Sequence, residues 1–192
     1  MASSRGLDRL LAFSDATVAI AITLLILPLV EIAQEVQDRP VGDFLGDHAF
    51  ALFSFGLSFL VISVFWRVHH TMYEDVERAG PALVRANLVW LASIVFLPFP
   101  TELLDADRDP RLTHGIYVGT LVVASAAQAV QKSLILRDGG TPSPVRGDLV
   151  SLALMTIAFV LVVAVPATGL WGLLVLLLST PVEKVMGARA AA

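Results

Sequence analysis

The chain has 192 residues, of which 56% are hydrophobic and 16% charged, with a mean hydropathy of +0.78. Soluble domains run near 45–50% apolar and about 25% charged, so this much apolar content excludes an ordinary soluble enzyme and points to a polytopic membrane protein. A net charge of -4 argues against a nucleic-acid partner, and the absence of cysteine removes disulfides, thiolate catalysis and Cys-ligated metals.

A transmembrane helix needs about 20 mostly apolar residues. The first such stretch runs from about Leu10 to Val30 and is followed by the acidic, proline-containing segment EIAQEVQDRPVGD. It does not read as a signal peptide, because Asp15 lies inside it and no small-residue cleavage site follows. The second span runs from Phe44 to Trp66, the third from Ala82 to Leu104 and the fourth from Leu112 to Leu134. DGGTPSPVRGD then has the composition of a turn-rich loop. Two further spans, Leu149 to Val165 and Leu170 to Pro181, are joined by PATG as a tight helical hairpin. The expected fold is therefore all-α: one polytopic bundle of six transmembrane helices occupying residues 1–192, with no internal repeat.

Orientation follows from Lys and Arg, which collect on cytoplasmic loops. With an internal N-terminus, ten of the 13 fall inside; only Arg39, Arg108 and Arg111 fall outside. The chain is thus expected to be a multi-pass protein of the inner or plasma membrane with both termini in the cytoplasm. The two outer loops carry nine acids, among them Glu31, Asp43, Asp47 and Glu102. Such a face either concentrates cations at a pore mouth or is simply a solvated surface.

Ionisable residues inside spans are costly and mark candidate functional sites. On an ideal helix with Asp15 at 0°, Ile20 falls at about 140°, Thr23 at 80° and Leu27 at 120°, with Leu24 at the edge near 180°. One face of the first helix is then an apolar stripe broken by a single hydroxyl, and Asp15 points away from it. The stripe is either a lipid or helix contact or the lining of a pore; Thr23 either bonds back to its own helix or offers oxygen to an ion. Asp15 needs partners on neighbouring helices, and Ser14, His69, His70 and Asn87 lie at matching depth. Their network either locks the bundle or senses pH through His69 or His70. Adjacent histidines face different sides of a helix and form no metal motif, and no nucleophile–base pair or cofactor site is visible, so the chain does not read as an enzyme.

Arg9-x-x-x-Phe13-Ser14-Asp15 followed by AIAITLLILPL resembles the signature that opens the TMEM175 family of cation channels. Trp66-x-x-His69-His70, Asn87 and Leu97-Pro98-Phe99-Pro100-Thr101 resemble that family's second and third spans. The resemblance rests on roughly the first 100 residues, and the remainder agrees only in span count. It implies a channel that conducts K⁺ with modest selectivity over other monovalent cations such as Na⁺. It implies a homotetramer of six-span subunits in the lipid bilayer, with no P-loop filter, whose first helices line the pore. By resemblance, Ile20, Leu24 and Leu27 match the apolar constriction and Thr23 the hydroxyl layer tied to selectivity. Ala19 stands where some relatives place a serine. Arg9, Phe13, Ser14 and Asp15 match the element that ties the first helix to its neighbours. The alternative is a proton-coupled secondary transporter relaying through Asp15 and His69 or His70.

Overall fold

Prolines and polar residues, more than apolar content, decide where the helices of this chain begin and break. The computed structural model describes residues 4–34, 40–74, 76–106 and 109–139. Among them the order is α1 (Ser4–Leu24), α2 (Leu27–Ala33), α3 (Val41–Asp47), α4 (Ala49–Tyr73), α5 (Pro81–Phe96), α6 (Pro98–Ala106) and α7 (Pro110–Arg137).

Four segments are long and apolar enough to cross a bilayer: Arg5–Ala33, Ala49–Tyr73, Pro81–Leu104 and Pro110–Arg137. They coincide with the first four expected spans. The expected fifth and sixth spans, Leu149 to Val165 and Leu170 to Pro181, lie outside the described residues.

The first span starts at Arg5, ahead of the expected Leu10, and both boundaries of the second span differ from expectation. The second span begins at Ala49 rather than Phe44, because His48 leaves helical geometry (φ -106°, ψ 19°) and separates the short, polar α3 from α4. That span also continues past Trp66 to Tyr73, where His69, Met72 and Tyr73 are buried and tertiary packing holds two further turns in helix.

Pro28 breaks the first span. Its ring occupies the place of the N–H that would bond the Leu24 carbonyl, and it clashes with that carbonyl. The chain turns at Leu25–Ile26, where the Ile26 amide donates to the Thr23 carbonyl at 3.3 Å, and restarts as α2 with Pro28 in its first turn. Pro98 divides the third span in the same way, between α5 and α6 at Leu97. Pro81 and Pro110 instead open helices, where a missing donor is harmless. Asp109 caps α7 by accepting from the Leu112 amide, and Gly139 ends the turn after it at φ +87°.

The α5–α7 pair is the most extensive contact, and α7 buries the small residues Thr120, Ala124, Ser125 and Ala127, which permits close approach. α1 packs chiefly on α5 and then on α4, while α4 packs on α6. The main core gathers Val18, Ala21 and Leu25 of α1 with Ile62, Trp90, Ile94, Tyr117 and Leu121. A second, smaller cluster of Leu7, Met72, Tyr73, Leu83 and Ile135 closes the end at which α1 begins.

Candidate channel-lining helix and its anchor

α1 has two opposite faces. Leu7, Ser14, Val18, Ala21 and Leu25 are buried, a spacing of seven, four, three and four that keeps them on one side. On the same rotation that places Asp15 at 0° they lie at about 240–300°. Phe13, Ala16, Ile20 and Thr23 are exposed at three- and four-residue spacing on the other side, and Leu27 continues the run beyond the break. This is the a/d pattern of a seam between helices. Ile20 is 61% exposed, Leu27 50% and Leu24 only 39%, so Leu24 sits at the margin, as its angle requires. Leu27 belongs to α2, so its position follows from the turn at Leu25–Ile26 and not from one uninterrupted helix. Thr23 Oγ donates to the Ile20 carbonyl at 2.8 Å, which occupies its hydrogen and leaves oxygen lone pairs on the exposed side.

α1 is also the least covered span. In its most apolar stretch 17% of residues are buried, against 39–50% in the other three. Each of the four described spans has exposed apolar residues, and on α1 they join a thinly covered surface to a heptad-like seam that includes alanine and threonine.

The buried face is fastened by a chain of hydrogen bonds. Ser14 Oγ donates to the Leu10 carbonyl at 2.8 Å and accepts from Asn87 Nδ2 at 2.9 Å. Asn87 Oδ1 lies 2.7 Å from His69 Nε2; a carbonyl oxygen can only accept, so Nε2 carries the proton. The His69 ring stacks on Trp90 with centroids 4.1 Å apart and planes 9° apart. Asn87 and Trp90 are fully buried, and Ser14 and His69 nearly so. The chain thereby joins α1, α5 and α4 in their shared core.

Asp15 takes a different partner. Its Oδ1 accepts from Trp66 Nε1 at 2.9 Å, and the Trp66 ring stacks on His70 at 5.4 Å. The expected single network is therefore two: Ser14–Asn87–His69 in the core and Asp15–Trp66–His70 on the exposed flank. Arg9 and Phe13 of the opening motif are exposed. Trp66 is the residue sequence reasoning did not assign. An indole N–H is a donor that a carboxylate on the flank of a span can use, and that was the available signal.

At the opposite end, Tyr117, Ser58 and Thr101 form a second buried chain, at 3.0 and 2.9 Å, ending on the Leu97 carbonyl. Each hydroxyl has one hydrogen, and Thr101 gives its own to Leu97; the direction is Tyr117 to Ser58 to Thr101 to Leu97.

Residues 9–98 match the family described as endosomal/lysosomal potassium channel TMEM175. The first half of the chain is thus similar to the TMEM175 family. It is 37% identical over 129 residues to a protein from Streptomyces collinus named a potassium channel, covering 64% of this chain and 60% of that one. A Chryseobacterium protein, also named a potassium channel, is 26% identical over 141 residues, 72% of this chain and 69% of its own. The human protein named endosomal/lysosomal proton channel TMEM175 is 30% identical over 126 residues, 64% of this chain and 24% of its own. The chain thus spans 60% of the Streptomyces relative's length and 24% of the human one. The matched segment holds both faces of α1, both polar chains beside it and the Leu97–Pro98 break.

Proposed function

We propose that the chain forms a K⁺-permeable channel, a homotetramer in which the exposed face of α1 from each subunit lines a common ion path. The observation that carries this reading is the uncovered, heptad-spaced face of α1, held in place from behind by the Ser14–Asn87–His69 chain. One such face encloses nothing; several copies around an axis give stacked collars of Ile20, Thr23 and Leu27, with Leu24 at the margin. Apolar collars pass ions only when wetted and so gate by dewetting, while the Thr23 oxygens offer ligands to a partly dehydrated cation. The names of the bacterial relatives support K⁺ as the permeant ion. The family match and that naming support a channel over an enzyme, and the reading calls for no cofactor besides the permeant ion. The expected setting is the inner or plasma membrane with cytoplasmic termini.

A transporter relaying protons through Asp15 and His69 or His70 is less well supported: Asp15 and His69 have separate partners, and between Asp15 and His70 stands the Trp66 indole, which does not give up its proton. The test is ion flux from liposomes holding the purified full chain, with subunit number measured in mild detergent. K⁺ moves down its own gradient without a pH gradient if the reading is right. Absence of flux from a folded tetramer refutes it. Since the human relative is named a proton channel, a pH-sensitive dye in the same vesicles reports whether H⁺ shares the path.

A further inference from the structure

A pocket of about 310 Å³ opens at the end of the bundle opposite the His69 chain, between α2 with the end of α1, α4 and α6. It lies behind α1, on the side away from the proposed ion path. Its walls are apolar, with Leu25, Ile32 and Phe55 among them, and two exposed carboxylates, Glu31 and Glu102, stand at its edge.

Ser54 also lines this pocket. It is 2% exposed, and its Oγ has no hydrogen-bond partner. Trp90 Nε1 and Gln131 Nε2 are also buried without a partner, but neither residue lines this pocket, and among the serines Ser54 stands apart. Ser14, Ser63, Ser93 and Ser133 all give their hydrogen to the carbonyl four residues back. Ser58, one turn further along α4, is satisfied by Tyr117 and Thr101. A buried polar group without a partner costs roughly 1–3 kcal/mol, so a hydroxyl held this way is best explained by something that meets it.

The lining selects the class of ligand. Two carboxylates exclude an anion. Among the described residues no group of three or more His, Asp or Glu is placed to hold a metal, and apolar walls would strip a bare ion of water without replacing it. Pockets of about 300 Å³ and above suit small organic ligands held by apolar walls and a few polar groups. We propose that this pocket binds a primary ammonium group carried on an apolar body. The body lies against Leu25, Ile32 and Phe55, the N–H groups reach Glu31 and Glu102, and one donates to Ser54 Oγ. A free aliphatic amine and a phosphatidylethanolamine headgroup share this chemistry.

The test is calorimetric titration of the full chain in amine-free detergent with n-hexylammonium chloride. It needs no ion flux, so it fails or succeeds separately from the channel reading. Saturable binding is expected, with a Kd on the order of 0.1–1 mM for so small a ligand. Hexan-1-ol has the body without the charge and ammonium chloride the charge without the body; both bind at least about tenfold more weakly. Glu31→Gln with Glu102→Gln raises Kd about tenfold or more, and Ser54→Ala, which keeps the helix and leaves no cavity, raises it about threefold or more. Repeating the titration in nanodiscs with and without phosphatidylethanolamine separates the sources: competition assigns the lipid headgroup, and equal affinity assigns the free amine. No saturable binding, equal binding of hexan-1-ol, or unchanged affinity in both variants overturns the proposal.

Discussion

The Ser14–Asn87–His69 chain can be weighed by removing its middle member. Asn87→Ala takes away the acceptor of His69 Nε2 and the donor to Ser14 Oγ. The two losses are unequal. Ser14 keeps its bond to the Leu10 carbonyl, whereas His69, 1% exposed and sandwiched against Trp90, keeps nothing at Nε2. An unmet buried donor costs about 1–3 kcal/mol, and hydrogen bonds inside membrane bundles average about 0.6 and reach about 1.7. The expected loss is therefore about 2 kcal/mol, including the small cavity left by the shortened side chain. Ser14→Ala removes one acceptor from Asn87 and costs about 0.6–1.7 kcal/mol in the native background. In the Asn87→Ala background the same change costs nearly nothing, because the remaining Ser14 bond is local to α1. The coupling energy of the cycle is thus about 0.6–1.7 kcal/mol. Unfolding in mixed detergent and SDS, followed by tryptophan fluorescence, measures all four proteins. An Asn87→Ala cost below about 0.5 kcal/mol, or additive single costs, refutes the idea that this chain fastens α1.

Other consequences concern the opposite face and the flank. Ile20→Asn adds a polar group to the most exposed position of the stripe, keeps the collar wet and increases K⁺ flux from liposomes; unchanged flux in a well-folded variant removes Ile20 from the path. Thr23→Val keeps shape but removes the oxygen, so discrimination of K⁺ from Na⁺ falls, read as a shift in reversal potential; an identical potential counts against the hydroxyl layer. Trp66→Phe keeps an aromatic ring beside His70 but removes the donor to Asp15, and lowers stability by about 1 kcal/mol, less than a fully buried charged bond because Trp66 is partly exposed. In that background Asp15→Asn adds little further loss; a full second loss would show Asp15 working through another partner.

The four described spans were legible because bilayer crossing demands apolar length, which is additive along the sequence and independent of tertiary contacts. The two faces of α1 were legible for a related reason: rotation per residue is nearly fixed, so angle alone separated Ile20 and Thr23 from Asp15, whereas Leu27 lies beyond the turn at Leu25–Ile26. The break at Leu25–Ile26 had a visible cause in Pro28, whose ring must disturb the carbonyl four residues earlier. The pairing of polar residues was less legible. Ser14, His69 and Asn87 were placed together by depth, but depth cannot say that Asp15 turns toward an indole while His69 turns toward an amide. Tyr117, Ser58 and Thr101 went unseen because hydroxyls within spans ordinarily bond to their own helix. Only the packing of α4, α6 and α7 brings these three within reach of one another.

The arrangement on α1 also resolves a conflict that a pore-lining helix faces. Its inner surface has to present little polarity if it is to close by dewetting, yet a helix in lipid with only apolar and weakly covered surfaces has little to fix its rotation. Here the fixing polarity is placed on the far side. Ser14 is locked to Asn87 at about 260° on the helix wheel and Asp15 to Trp66 at about 0°, both away from the stripe centred near 110°. Two anchors at different angles determine rotation where one would leave a hinge. They are two adjacent residues midway along α1, about two turns before Ile20 and Thr23, while Pro28 loosens the helix just beyond those positions. The stripe is thereby held firmly at one end and released at the other. On the proposed channel reading, a change in the collars would come from movement beyond Leu25 more easily than from rotation of the anchored turns.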